Sequence, residues 1–282
     1  MKYFVPTLAL GALSPPQTQL TDKFGGLPWG LPAGKWPLCA GCGSPQTHLA
    51  TFTHSAGRLD LGAEGRTVLV FQCGHSPNET NCKNYTAGSG ANAVVFLGVN
   101  ELGSGLTVPP APGTSKLIEM RVTDWVEQHD LVTAELEPSF LSGDSYWQDD
   151  EATEIVSTSV ADGAKLGSVP AWIQGGAGID PAFRFVAQLG YSYHFPDPMP
   201  TPDAAGATTS RWNKGGRKPQ VNEPTNPDPD LRGEIYVSDI TLLRYGSGFD
   251  VDAADFGDGG SGYLFIKTDL ITPQGLFLWQ CG

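Results

Sequence analysis

The chain has 282 residues and a formal charge of −13, with 17 Lys and Arg against 30 Asp and Glu, a balance that opposes a nucleic-acid backbone as main partner and favours a basic protein. Glycine (36) and proline (23) make up about a fifth of the sequence, while 40% is hydrophobic and 17% charged. This excludes a disordered chain, a coiled coil and collagen, and describes a turn-dense, β-rich globular protein. No stretch reaches the ~18–20 continuous apolar residues of a membrane-spanning helix, so no membrane partner is expected.

In chain order, the opening MKYFVPTLALGALS imitates a secretory signal, but Pro6 interrupts it and no cleavage box follows; the chain is expected to be mature and cytoplasmic. Short β-branched or aromatic runs bounded by turn residues predict strands over 49–52, 67–71, 93–97, 234–237, 263–266 and 276–279. A helix is predicted within 123–136, where Thr123 or Asp124 could cap and Val126, Leu131 and Leu136 are loosely spaced. The stretch 195–233 is rich in Pro, Asp, Asn and Gly, lacks hydrophobic periodicity, and reads as a long irregular loop. Its centre, Arg211-Trp212-Asn213-Lys214-Gly215-Gly216-Arg217-Lys218, is a basic cluster in an acidic chain. That cluster is either a solvated loop tip or an anion or partner contact anchored by Trp212.

An internal echo organises the chain. Lys23, Gly25 and Pro28 recur as Lys165, Gly167 and Pro170 at a constant offset of 142, and Trp29 as Trp172. His48-Leu49-Ala50-Thr51-Phe52 resembles Phe185-Val186-Ala187-Gln188-Leu189, and Phe71-Gln72-Cys73-Gly74 recurs as Trp279-Gln280-Cys281-Gly282. The expected fold is mainly β (α+β), with two similar β-sheet halves from an internal duplication. The first half spans 1–104, a connecting region 105–162, and the second half 163–282 with its loop at 195–233.

Cysteine chemistry is the sharpest signal. Cys39-Ala40-Gly41-Cys42-Gly43 is a CxxC followed by glycine, in which a tight turn lets both thiolates face one metal. Cys73 and Cys82 form a second pair, so Cys39, Cys42, Cys73 and Cys82 could hold a structural zinc if a hairpin brings the loops together. His75 could stand in for Cys73 or Cys82. Reduced packing cysteines, a redox pair and a disulfide remain open alternatives. Cys281, without partners in its own half, is expected to pack as a small hydrophobe.

No catalytic constellation stands at fixed spacing. His48, His54, His75, His129 and His194 form no metal pair at helical spacing, and no serine or cysteine sits in a nucleophile elbow. The acidic run from Asp250 to Asp258 lacks the spacing of a calcium loop, and Gly257-Asp258-Gly259-Gly260 reads as a tight turn.

The pattern KxGGxPW at Lys23, the late FGDGGSGYLFI and the terminal LFLWQC resemble the YwqG-like bacterial family, a domain of unknown function. WPLCAGCGSP with the later VFQCG and Cys82 also resembles programmed cell death protein 2, although its zinc-finger insertion is missing here. The resemblance implies a mainly β fold with two related halves, no catalytic residues, and by analogy a chaperone-like or toxin-immunity-like role. The favoured expectation is therefore a non-enzymatic protein-binding module with structural zinc and a basic protein partner. The alternative is a hydrolase-like enzyme with a site between the halves, drawing on His54, His129, Asp239 or Asp258.

Overall fold

Strand β1 (Lys2–Leu10) forms from the signal-like opening itself, whose Tyr3, Phe4, Val5 and Thr7 favour extended backbone. Pro6 is accommodated because the second neighbour of β1 pairs with Tyr3 and Phe4 alone, leaving one side of the strand free at the proline. The computed structural model describes residues 1–74, 82–111, 114, 116–141, 150–196, 208–211, 233–237, 240–245, 248–269 and 272–282.

The remaining elements are β2 (Lys23–Phe24), β3 (Thr47–Thr53), β4 (Thr67–Gln72), β5 (Asn92–Leu97), β6 (Met120–His129), α1 (Glu137–Leu141), α2 (Asp150–Ser159), β7 (Lys165–Gly167), β8 (Arg184–Gly190), β9 (Ser192–Pro196), β10 (Thr208–Arg211), β11 (Gly233–Val237), β12 (Ile240–Tyr245), β13 (Gly248–Asp252), β14 (Ser261–Lys267) and β15 (Gln274–Gln280). The protein is mainly β. Each strand predicted from the sequence lies within an observed one.

The predicted helix over 123–136 is corrected: residues 120–129 are β6, a central strand paired with β1 on one side and β2 on the other. Local cap and spacing signals were overridden by long-range pairing. The helices lie just beyond, in α1 and α2. The loop predicted over 195–233 is corrected in part, because β10 within it pairs with β11. Trp212 and residues 213–218 lie outside the described residues.

Ten strands form one antiparallel sheet in the order β15-β14-β8-β7-β1-β6-β2-β3-β4-β5. The order has the same form from either end: a four-strand block, the central pair β1 and β6, and a second four-strand block. In β2, Lys23 and Phe24 pair with Thr51 and Ala50, while in β7 Lys165 and Leu166 pair with Gln188 and Ala187. The two Lys-x-Gly turns therefore occupy matching rungs. The Phe71 and Trp279 segments do not, for Phe71 lies in β4 between β3 and β5, and Trp279 lies in β15 at the sheet's end.

The sheet curls until its outer strands meet. Asn92 Nδ2 of β5 donates to the Phe277 carbonyl of β15 at 3.1 Å. Gly275 faces Val94 so closely that a Cβ would fall 2.3 Å from Val94 Cγ1. Inside the curl Phe24, Ala50, Phe52, Val70, Leu166, Ala187, Leu264 and Ile266 form the principal core. Tyr193 and Phe195 of β9 and Val251 of β13, from the five-stranded sheet β10-β11-β12-β13-β9, join that core. Among the described residues, further apolar clusters lie around Trp36, Leu69 and Phe71, around Phe140, Trp172, Tyr263 and Phe265, and around Cys39, Cys73, Cys82 and Ala91.

Candidate metal centre

The first cysteine pair sits at the tip of a miniature hairpin. Leu38 bridges Pro45, the Cys39 amide donates to the Ser44 carbonyl at 2.9 Å, and the Gly43 amide donates back to the Cys39 carbonyl at 2.8 Å. Gly43 has φ of 73°, the left-handed turn that a glycine after CxxC permits without steric cost. Trp36 Nε1 holds the base of the hairpin by donating to the Gln46 carbonyl at 3.0 Å.

The second pair approaches from the ends of β4 and β5. Cys73 follows β4 directly, and its amide donates to the Ala91 carbonyl at 2.7 Å. Asn84 Nδ2 donates to the Cys73 carbonyl at 2.9 Å. The hairpin is docked by Ala40, whose amide donates to the Gly90 carbonyl at 3.0 Å, a carbonyl that also accepts from Gln46 Nε2 at 3.1 Å.

As a result the four sulfur atoms of Cys39, Cys42, Cys73 and Cys82 all lie within 4.8 Å of one another. Cys39, Cys73 and Cys82 are buried, and Cys42 is the most accessible of the four. Cys42 Sγ is 3.7 Å from Cys73 Sγ. Four thiolates about 2.3 Å from a central ion would stand about 3.8 Å apart at tetrahedral angles, so the residues present fit a metal ion. Gly41 lies over the cluster, where a Cβ would come 3.5 Å from Cys82 Sγ. All four cysteines singled out in the sequence thus converge. His75 lies outside the described residues. Cys281 sits elsewhere, half-buried beside Gly257.

Of the residues considered for an enzyme site, His54 and His129 have carboxylate neighbours of their own. His54 Nδ1 accepts from the Leu61 amide at 3.0 Å while Nε2 faces Glu64 at 3.3 Å. His129 is exposed and 3.8 Å from Glu127. The Asp258 carbonyl accepts from the Gly282 amide, and Asp239 lies outside the described residues. His48 is buried between Gly25, Gly26 and Thr51. Burial, reinforced by the nearby Lys23 ammonium, pushes its pKa down to about 3 and keeps it neutral. The Asp250–Asp258 run contains a turn in which Asp255 Oδ1 accepts from the Gly257 amide.

Sequence reasoning passed over two buried lysines, although the echo had marked both. Lys23 and Lys165 are 0% and 1% exposed. Lys23 Nζ donates to Glu119 Oε2 at 2.8 Å, Gln17 Oε1 at 2.7 Å and the Leu27 carbonyl at 2.5 Å. Lys165 Nζ has no hydrogen-bond partner among the described residues and lies 5.9 Å from the centre of the Tyr3 ring. A lysine at matching positions in two turns is visible in the sequence; the missing partner is not.

Among known proteins, no family model and no curated protein matches this chain.

Proposed function

We propose that the protein is a non-enzymatic protein-binding module, chaperone-like or toxin-immunity-like, whose fold is stapled by a structural zinc ion on Cys39, Cys42, Cys73 and Cys82. The observation that carries the zinc is the closed set of four sulfur atoms. Soft thiolates at tetrahedral spacing suit zinc over hard cations, and four protein ligands leave no position for a reacting water. Such a site would pin the Cys39–Cys42 hairpin to the ends of β4 and β5. Thiolate ligands persist in a reducing compartment, which supports a cytoplasmic location.

The partner we infer is a basic polypeptide, supported by the charge of −13 and its long-range attraction for cations. Affinity capture from a native host extract at graded salt tests this reading. Recovery of basic proteins that elute with salt supports it. Turnover of a small molecule, abolished by one replacement at His54, His129 or Asp258, would favour the hydrolase-like alternative.

We also infer that the blocks β2–β5 and β7, β8, β14, β15 descend from one duplicated unit. The matched rungs at Lys23 and Lys165 support this, as do the pairs Ala50–Val70 and Ala187–Leu264 in the adjoining strands. Superposing Lys23 on Lys165 should carry Val70 onto Leu264; a misfit there counts against common descent.

A further inference from the structure

We propose that Lys165 is a pH-responsive latch at the junction of β1 and β7: protonation of its amine inside the folded chain loosens that junction.

The two lysines differ in what stands beside them on the neighbouring strand. Phe24 pairs with Met120, which Glu119 precedes; Leu166 pairs with Phe4, which Tyr3 precedes. Tyr3 therefore stands in the second block where Glu119 stands in the first. The Glu119 carboxylate fills the space over Gly26, where a Cβ would fall 2.6 Å from Glu119 Oε2. At the matching position the second block carries Ser168, held at φ of 57°, a left-handed conformation that is costly for a non-glycine residue. Carboxylate and glycine have been replaced together by tyrosine and serine, and Lys165 has lost its acceptor.

Other groups near Lys165 do not replace it. From the end of β6, Asp130 faces the amine, but its carboxylate already accepts from Ser168 Oγ, the Val132 amide and the Met1 nitrogen. Asp162, preceding β7, attracts the amine at longer range. Tyr3 of β1 offers a ring face. From β8 the neighbour is Gln188, whose amide group is engaged with Ala171, Asp162 and Gly163. Burial consequently outweighs the attraction of Asp130 and Asp162 and lowers the Lys165 pKa from 10.5 to about 7. The unfolded chain takes up this proton near pH 10.5 and the folded chain only near 7, so unfolding gains ground as pH falls through that window.

The test is direct titration of the folded, unmodified chain carrying carbon-13 lysine. A Cε resonance with a midpoint near pH 7, moving together with the amides of β1 and β7, is expected. It should be absent in Lys165→Met. The melting temperature of the native sequence should rise between pH 7 and 9.5 relative to Lys165→Met, and Tyr3→Glu should raise the midpoint by more than about one pH unit. A Lys165 midpoint above pH 9, or identical pH dependence of stability in the native sequence and Lys165→Met, overturns the proposal.

Discussion

Asn92 of β5 and Phe277 of β15 are joined by a 3.1 Å hydrogen bond between strands at opposite ends of a ten-stranded sheet. The same Asn92 Nδ2 donates to the Asn84 carbonyl at 2.6 Å, so one amide ties the sheet's closure to the loop that follows Cys82. The sheet closure and the cysteine cluster are thereby linked through Asn92 and Asn84.

Replacing Asn92 with Ala removes both bonds. At about 1 kcal/mol each, the loss is on the order of 2 kcal/mol. Urea unfolding should show the lower midpoint, and amide exchange should quicken in β15 and β5 before it does in β3.

One zinc per chain is expected by elemental analysis, retained through dialysis and removed by strong chelators. Structural zinc sites contribute about 10–16 kcal/mol of binding energy, comparable to or larger than a typical net stability of about 5–15 kcal/mol. Cys39→Ser should therefore lose the metal and melt markedly lower, while Cys281→Ser keeps it. A metal-free native protein with unchanged melting behaviour rules the site out.

His48 gives a separate pH signature. Its pKa is lowered by burial to about 3, so between the ordinary value of 6.5 and 3 the unfolded chain binds a proton that the folded chain refuses. Stability should fall as pH drops through that window, by up to about 1.4 kcal/mol per pH unit from this residue. His48→Gln should flatten that part of the stability profile, measured as the difference in denaturation midpoint between pH 6.5 and 4.

Association with a basic partner should slow with salt. The screening length shrinks from about 30 Å at 0.01 M to about 8 Å at physiological ionic strength, so the association rate should fall steeply over that range while dissociation changes little. Stopped-flow or surface-binding kinetics at several salt concentrations would read it. A salt-insensitive rate argues against electrostatic recognition.

Much of the β content was legible because strands such as β4 and β14 are short hydrophobic runs between turn residues, a local property. The Lys23 and Lys165 turns were legible for the same reason, as was the CxxC hairpin. β6 was not: Thr123 or Asp124 looks like a helix cap ahead of the spaced Val126, Leu131 and Leu136, and only pairing with β1 and β2, distant in sequence, makes residues 120–129 a strand. The Phe71 and Trp279 segments misled in the opposite way. Their four-residue similarity is local, while their places in the sheet are fixed by the order of strands. Convergence of the cysteines was anticipated from β3 and β4, but the polar fastening through Gly90, Gln46 and Asn84 carried no sequence signature. That Lys165 Nζ has no hydrogen-bond partner among the described residues was equally hidden, since its neighbour Tyr3 is distant in sequence.

The interleaving of the two blocks imposes an order on synthesis. Lys23 and Phe24 form a rung with β3 early, yet their other neighbours, Met120 and Arg121, are made roughly 100 residues later, a delay on the order of 5–20 s on a ribosome. β1 waits longer still for Leu166 and Gly167. A nascent chain of this protein must therefore carry an unpaired β2 edge through about a third of its translation, and the first stretch able to shield that edge is the one whose arrival also lets β1 enter the sheet.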